Sequence, residues 1–306
     1  MQLRHLRYFV ALGHEKHFGR AAEACHVTQS TLSAAVRQLE NEIGAPLIER
    51  DKRFKGLTAE GKVLLGWAKR VVAEREALDQ EIGLLRGELT GELTLGVIPS
   101  ALPTVSLMTT PFSEAHPKVT LQILSRTSDQ IHRALDAFDF DVGITYLGEE
   151  PLQGVRAYPL YEERYILLTP TRGPFRGRKS VTWQEAAQTP LCLLTPDMQN
   201  RRLVNSVFAS VGCAPSVQAE SNSLMTLCSH IRTGAWSSVL PHNLLWLFGT
   251  PKGMLALPLV EPERSFTVCM VVRQQKPQPP LVDAFAKSAR NLDLEALIEP
   301  RQSARS

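Results

Sequence analysis

The chain has no Cys-x-x-Cys pair. Its five cysteines, Cys25, Cys192, Cys213, Cys228 and Cys269, are scattered and odd in number, so neither a disulfide framework nor a thiol-ligated zinc site is indicated and a reducing compartment is expected. Charge of one sign is also missing: 34 Lys and Arg against 31 Asp and Glu leave +3, which excludes a basic nucleic-acid tail and an acidic disordered chain. No run of 18 apolar residues occurs, and the opening MQLRHLRYFV carries charge where a signal peptide needs an apolar stretch, so a cytoplasmic location with no membrane partner is expected. Gly-x-Ser-x-Gly, Walker, Gly-x-Gly-x-x-Gly and His-Glu-x-x-His motifs are all absent. No catalytic residue and no cofactor is therefore assigned, and an enzyme is not expected. His5, His14, His17 and His26 crowd the amino-terminal region without metal-site spacing, so no metal is assigned either.

What is present is an ordinary globular balance, 43% apolar and 21% charged over 306 residues, enough for about two domains at roughly 150 residues each. Up to Leu89 the patterns have helical spacing; beyond Gly91 short alternating apolar runs appear between helices, which predicts a boundary near Thr90. The first 90 residues carry 14 basic and 12 acidic side chains, the remainder 20 and 19. Charge position must then matter more than charge sum.

Leu3, Leu6, Phe9 and Val10 predict one amphipathic helix, and a second starts near Phe18 with the small pair Ala21 and Ala22. Thr28 stands where it can cap QSTLSAAVRQLENEIG, whose Leu32, Val36, Leu39 and Ile43 form a stripe that Gly44 ends. Its other face offers Gln29, Ser30, Ser33, Arg37 and Gln38, and no acid occurs between Glu23 and Glu40. Two short helices with such a face fit a recognition helix entering the major groove, where Gln reads adenine and Arg reads guanine; a merely solvated face reads the same. Arg50, Lys52, Arg53 and Lys55 then crowd into PLIERDKRFKGLT, which suits a basic hairpin or wing, or a solvated loop.

From Thr58 a helix of roughly 30 residues is predicted. Leu64, Val71, Leu78 and Leu85 recur every seven residues, and the companion series Ala68, Arg75, Ile82 and Leu89 is apolar at three of four. This seam of period 3.5 points to helix pairing through Leu64, Val71, Leu78, Ile82 and Leu85, hence to a dimer presenting two recognition units. After Gly91 the order strand, helix, strand, helix, strand (ELTLGVI, ALPTVSLMTTPFSEAH, VTLQILS, DQIHRALDAF, DVGITYL) predicts a parallel sheet covered by helices. Further strands are expected at RYILLTP, PLCLLTP, SSVLP and FTVCMVV, and helices at TWQEAAQ, NRRLVNSVFASVG, SLMTLCSHIR and LVDAFAKSAR. Roughly 215 residues is large for a single sheet, so two subdomains are expected.

FGRAAEACHVTQSTLSAAVRQLENEIGAPLIER followed by RFKGLTAEGKVLL resembles the amino-terminal signature of the LysR-type transcriptional regulators, in residues and in spacing. The resemblance implies a winged helix-turn-helix DNA-binding domain at 1–58, a linker and dimerisation helix at 59–90, and an effector-binding domain at 91–306. The last resembles the type 2 periplasmic-binding-protein fold, with one α/β subdomain at about 91–161 and 267–300 and the other at about 162–266. Carried onto this sequence, Gln29, Ser30, Thr31, Ser33 and Arg37 lie at the groove, Thr28 caps, Arg50 and Arg53 belong to the wing, and Arg20 clamps the backbone. Ile48 and Ser30 depart from the Phe and Pro of many members. The implied partners are double-stranded promoter DNA, a second copy of the chain in a dimer or tetramer, RNA polymerase, and a small molecule held between the subdomains. Ser100, Thr127, Ser128, Thr195, Gln199, Asn200 and Asn222 follow strands or precede helices, and helix starts with hydroxyl and amide donors favour a small anion. Each of these residues is also an ordinary cap, and Trp236 stands where the family often has glycine. A redox trigger through Cys192, Cys213 or Cys228 is the alternative; those thiols sit in apolar runs, which disfavours reactivity.

Overall fold

The structure, a computed structural model, describes residues 1–50, 54–147 and 154–299. It divides into two compact units, one of Met1–Thr90 with Asp136–Asp139 and Pro279–Leu281, the other of the remainder. Among the described residues no helix is long and apolar enough to cross a membrane.

The first unit begins with three helices, α1 (Leu3–Glu15), α2 (Phe18–Ala24) and α3 (Gln29–Ile43), followed by the antiparallel hairpin of β1 (Ile48–Arg50) and β2 (Phe54–Leu57) and then by α4 (Ala59–Leu85). Leu6, Phe9 and Leu12 of α1 meet Leu32, Val36 and Leu39 of α3 in one core, and the small Ala21 and Ala22 let α2 approach closely. Ile43, the last residue of the predicted stripe, is exposed, because the helix stops at Gly44 in the left-handed conformation (φ 76°). Gly61, in the first turn of α4, is buried against the Leu47 backbone, so closely that a Cβ there would collide with the Leu47 carbonyl oxygen.

Helix α4 is shorter than its sequence pattern. Arg86 N–H donates to the Gly83 carbonyl and Glu88 N–H reaches the same oxygen, with Gly87 at φ +75°. This is the six-to-one closure that ends helices at glycine, and it leaves Leu89 outside the helix. The expected seam also shifts. Leu64 and Ala68 are buried in the core of the first unit, so Leu64 is not open to a partner helix; Trp67, Val71, Leu78, Ile82 and Leu85 are the exposed apolar residues of α4 on the predicted side.

The second unit opens with β3 (Gly91–Val97), a 3-10 turn (Pro99–Thr104), α5 (Ser106–Ala115), β4 (Val119–Ser125), α6 (Ser128–Asp136) and β5 (Val142–Tyr146). Strand β3 pairs in parallel with β4 and β5, as the alternation predicts. There follow β6 (Val155–Pro170), β7 (Val181–Thr182), α7 (Trp183–Ala187), β8 (Leu191–Leu194), α8 (Gln199–Ser210), β9 (Val217–Ser221), α9 (Leu224–Arg232), β10 (Ser238–Pro241), α10 (Leu244–Phe248), β11 (Met254–Val260), β12 (Ser265–Arg273), α11 (Pro280–Arg290) and α12 (Leu294–Ile298).

Eight strands join in the order β4-β3-β5-β12-β6-β11-β7 with β10 also on β6, and β8 and β9 form a separate parallel pair. Strand β6 is shared. Its first half pairs with β12 beside β5, its second half with β10 and β11. Two lobes follow, one packed around Leu95, Phe112, Ile144 and Phe285, the other around Trp183, Phe208, Leu191 and Leu259. A winged helix-turn-helix followed in sequence by a mixed, two-lobed α/β fold is the expected fold class. Strands β7, β9 and β11 and helices α10 and α12 go beyond the elements that periodicity predicts.

Candidate functional sites

The polar face of α3 is solvent-exposed. Gln29, Ser30, Thr31 and Arg37 are open and Ser33 is half-buried. Thr28 Oγ1 accepts the Thr31 backbone N–H at 3.2 Å, and lies 2.8 Å from both the Ser30 and the Thr31 hydroxyls, so Thr28 acts as the cap. His17 caps α2 in the same way, its Nδ1 accepting from the Gly19 and Arg20 N–H groups; no sequence signal points to that role. The Arg20 guanidinium binds the Glu15 carboxylate at 3.1 Å and the Glu15 carbonyl at 2.6 Å, which holds the Glu15 carboxyl below its usual range. Arg50 belongs to β1, while Arg53 lies outside the described residues.

In the second unit a narrow cavity of about 10 Å³, lined by Ser100, Thr127, Ser128, Tyr146, Gln199 and Asn200 with apolar neighbours, sits between the lobes. It adjoins, at Ser128, Tyr146 and Gln199, a wider space of about 540 Å³ bounded by Asp129, His132, Arg133 and Arg202. Two helix N-termini meet there. Thr127 caps α6, its Oγ1 accepting from Gln130 N–H at 3.2 Å, whereas α8 has no side-chain cap at Met198. The Ser128 hydroxyl, on a residue 3% exposed, has no hydrogen-bond partner. Helix N-termini carry backbone N–H groups outside the intrahelical ladder and the positive end of the peptide dipoles. Arg202 faces Asp129 across the mouth at 3.7 Å.

Beneath the cavity lies a buried polar network. Asn200 Nδ2 donates to the Tyr146 hydroxyl (2.7 Å), to Glu163 Oε1 (3.2 Å) and to the Tyr165 hydroxyl (3.3 Å). Tyr146 OH donates in turn to Glu163, and Ser100 Oγ lies 2.9 Å from the same phenol. Asn243 Nδ2 donates to the Ser100 carbonyl (2.9 Å) and the Tyr161 hydroxyl (3.0 Å). Glu163 has no exposed surface and its Oε2 has no partner; burial pushes its carboxyl up to about 7, against the opposing hydrogen bonds from Tyr146 and Asn200. Burial also holds both Tyr146 and Tyr165 in the phenol form.

The expected residues do not all converge. Ser100, Thr127, Ser128, Gln199 and Asn200 line the cavity, but Thr195 and Asn222 do not. Asn222 is exposed at the end of β9, where the neighbouring Ser223 caps α9 at 3.4 Å. Thr195 is held by its backbone to Ser221. Among the described residues no group of His, Cys, Asp and Glu is arranged to hold a metal ion.

A family model described as "LysR substrate binding domain" matches residues 86–293, and one described as "Bacterial regulatory helix-turn-helix protein, lysR family" matches residues 3–62. The chain belongs to the LysR family. Among its relatives, the DNA-binding transcriptional dual regulator OxyR of Escherichia coli K12 is 29% identical over 95% of each chain. A probable hydrogen peroxide-inducible genes activator of Mycobacterium leprae is 35% identical over 78% of this chain and 77% of its own. The solved full-length OxyR of Pseudomonas aeruginosa, in a cysteine-to-aspartate variant, superposes with a TM-score of 0.77 at 27% identity, over 97% of both chains.

This LysR-type regulator is therefore a DNA-binding transcription regulator, and its relatives are regulators rather than enzymes. The helix-turn-helix match runs from α1 into the first turn of α4, and the substrate-domain match spans both lobes. What sequence reasoning missed in this LysR protein is the floor of the cleft: Tyr146, Glu163, Tyr165 and Asn243 all stand in or beside strands whose apolar neighbours dominate the pattern.

Proposed function

We propose that this regulator reads promoter DNA through α3 as a homodimer paired along α4, and that its output is set by a small anion bound between the two lobes. The Ser128 hydroxyl carries the effector part of the proposal: it is buried and unpartnered, and Ser128 lines both the narrow cavity at the N-termini of α6 and α8 and the adjoining space of about 540 Å³, which has room for such an anion. Gln29 and Ser33 supply sequence preference; Arg37, Arg20, Arg50 and Arg53 supply phosphate affinity, with Thr28, Ser30 and Thr31 at the helix start. Trp67, Val71, Leu78, Ile82 and Leu85 supply the helix pairing. RNA polymerase is the further partner through which such a regulator acts.

Thermal shift against small carboxylates, amino acids and aromatic acids tests the effector. A ligand of the native state at 100 times its Kd adds about 2.7 kcal/mol, and that shift should vanish in Ser128→Ala. No shift with any of these anions, or an equal one in the variant, would remove the anion site.

A redox trigger is favoured by the Mycobacterium leprae relative, a probable hydrogen peroxide-inducible genes activator. The thiols of this chain argue the other way. Burial pushes Cys192 and Cys269 up to about 11, and raises Cys25, Cys213 and Cys228 as well, so none is kept as the nucleophilic thiolate. Operator binding that responds to peroxide in wild type and not in Cys213→Ser or Cys228→Ser would reinstate the redox trigger.

A further inference from the structure

The second lobe holds a cavity that the cleft does not use. It has a volume of about 450 Å³ and lies between α9, α10, β6 and β11. Its floor is apolar: Leu168 of β6, Leu244 of α10 and Met254 of β11 are buried, and the half-buried Cys228 of α9 packs with them. Its lips are apolar too. Met225 and Phe248 are 63% and 49% exposed, which is apolar surface left in water without a partner in the fold.

Two charges stand at this opening, and both are positive. Arg232, in the last turn of α9, and Lys252, in the loop before β11, line the cavity. Neither has an ion-pair partner among the described residues, and no acidic side chain lines the cavity. An apolar interior of several hundred Å³ with a few polar groups at one end is the general form of a small-molecule site, and unpaired cations at its entrance select an anionic head.

We infer that this cavity is a second ligand site, built for an amphipathic carboxylate whose hydrocarbon part lies on Leu168, Leu244 and Met254 and whose head meets Arg232 and Lys252. At about 30 Å³ per water-sized group, the volume suits about ten to fifteen heavy atoms. The site shares no lining residue with the inter-lobe cleft, so it stands or falls independently of the anion site there.

Decanoate, used below its micellar concentration with the full chain, is the probe; decylamine has the same chain with the opposite charge. Calorimetry should give saturable decanoate binding and none with decylamine. Bound decanoate should slow maleimide labelling of Cys228, followed by peptide mass mapping, at least fivefold, while Cys213 labels at an unchanged rate. The double variant Arg232→Gln, Lys252→Gln alters two exposed side chains outside the core, so it should fold and weaken decanoate binding about tenfold or more; Ser128→Ala should bind it as wild type does. The inference is overturned by absence of saturable binding, by equal binding of decylamine, or by full affinity in the double variant. It is equally overturned if Cys228 is protected without ligand in proportion to protein concentration, since a second copy of the chain then covers the cavity.

Discussion

Asn200 donates a 2.7 Å hydrogen bond to the Tyr146 hydroxyl, joining the first turn of α8 in one lobe to the end of β5 in the other. The phenol donates its own hydrogen bond to Glu163 and lies within hydrogen-bond distance of Ser100 as well, which is the full capacity of a tyrosine hydroxyl. The floor of the cleft is thus also the strap between its walls.

Replacing Asn200 by Ala removes an amide whose two protons are shared among three buried acceptors, Tyr146, Glu163 and Tyr165. A buried polar group left unsatisfied costs about 1 to 3 kcal/mol. Urea denaturation of Asn200→Ala should show a loss of that size, and the thermal shift given by anionic ligands should disappear with it. Wild-type stability in the variant would mean that the strap contributes nothing.

Glu163 predicts a pH dependence. Its carboxyl titrates near 7 in the fold against 4.5 when exposed. A raised folded value means that the folded state favours the protonated form, so the associated stability is complete below pH 4.5 and is lost as pH rises through about 7. The gap corresponds to about 3 kcal/mol. Melting temperature should fall between pH 5 and pH 8 in wild type, and Glu163→Gln should flatten that fall, matching wild type at pH 5 and exceeding it at pH 8. Parallel pH curves for the two proteins would assign the titration elsewhere.

On α3, Gln29→Ala should relax operator preference at one base position. A good bidentate base contact discriminates by about 1 to 3 kcal/mol. Arg37→Ala tests the other assignment: if Arg37 holds a phosphate, affinity drops for all sequences alike and the salt slope of binding falls by about 0.9. Competition binding against a randomised operator separates the two, and unchanged selectivity in Gln29→Ala would remove that residue from base readout.

Along α4, Leu78→Glu and Leu64→Ala should fail differently. Leu78 is exposed, so a charge there should leave the fold intact and shift sedimentation from dimer toward monomer. Leu64 is packed in the core of the first unit, and its truncation should cost about 2 to 5 kcal/mol while the protein that remains folded still pairs. Leu78→Glu that sediments as wild type would exclude the α4 seam.

The amino-terminal unit was legible because its signals are local. Thr28, the Leu32, Val36 and Leu39 stripe and Gly44 lie within one helix, and each appears in the structure as read. The division of labour along α4 was not legible, since a heptad count treats Leu64 and Leu78 alike and only packing against α1 buries the first. In the second unit the parallel β-α-β-α-β order came from alternation, whereas β9 and β11 carry polar or proline-interrupted runs, VQAES and MLALPLV, that conceal their strand pairing. Ser100 and Asn200 could be found from their place after strands and before helices. Glu163 could not. Within YEERYILL it reads as a solvent-facing acid, and its burial depends on partners 17 and 37 residues away.

Strand β6 crosses from one lobe to the other without a break, and opposite Val268 and Cys269 of β12 its register slips, so that Tyr161 and Pro159 are paired while Leu160 between them is skipped. Two bodies sharing such a strand are coupled as by a torsion bar rather than a loose hinge: they turn by changing strand twist, for which the bulge is the softest point. A ligand that bridged the lobes would therefore act against an elastic element, by twisting the shared strand rather than by opening a hinge.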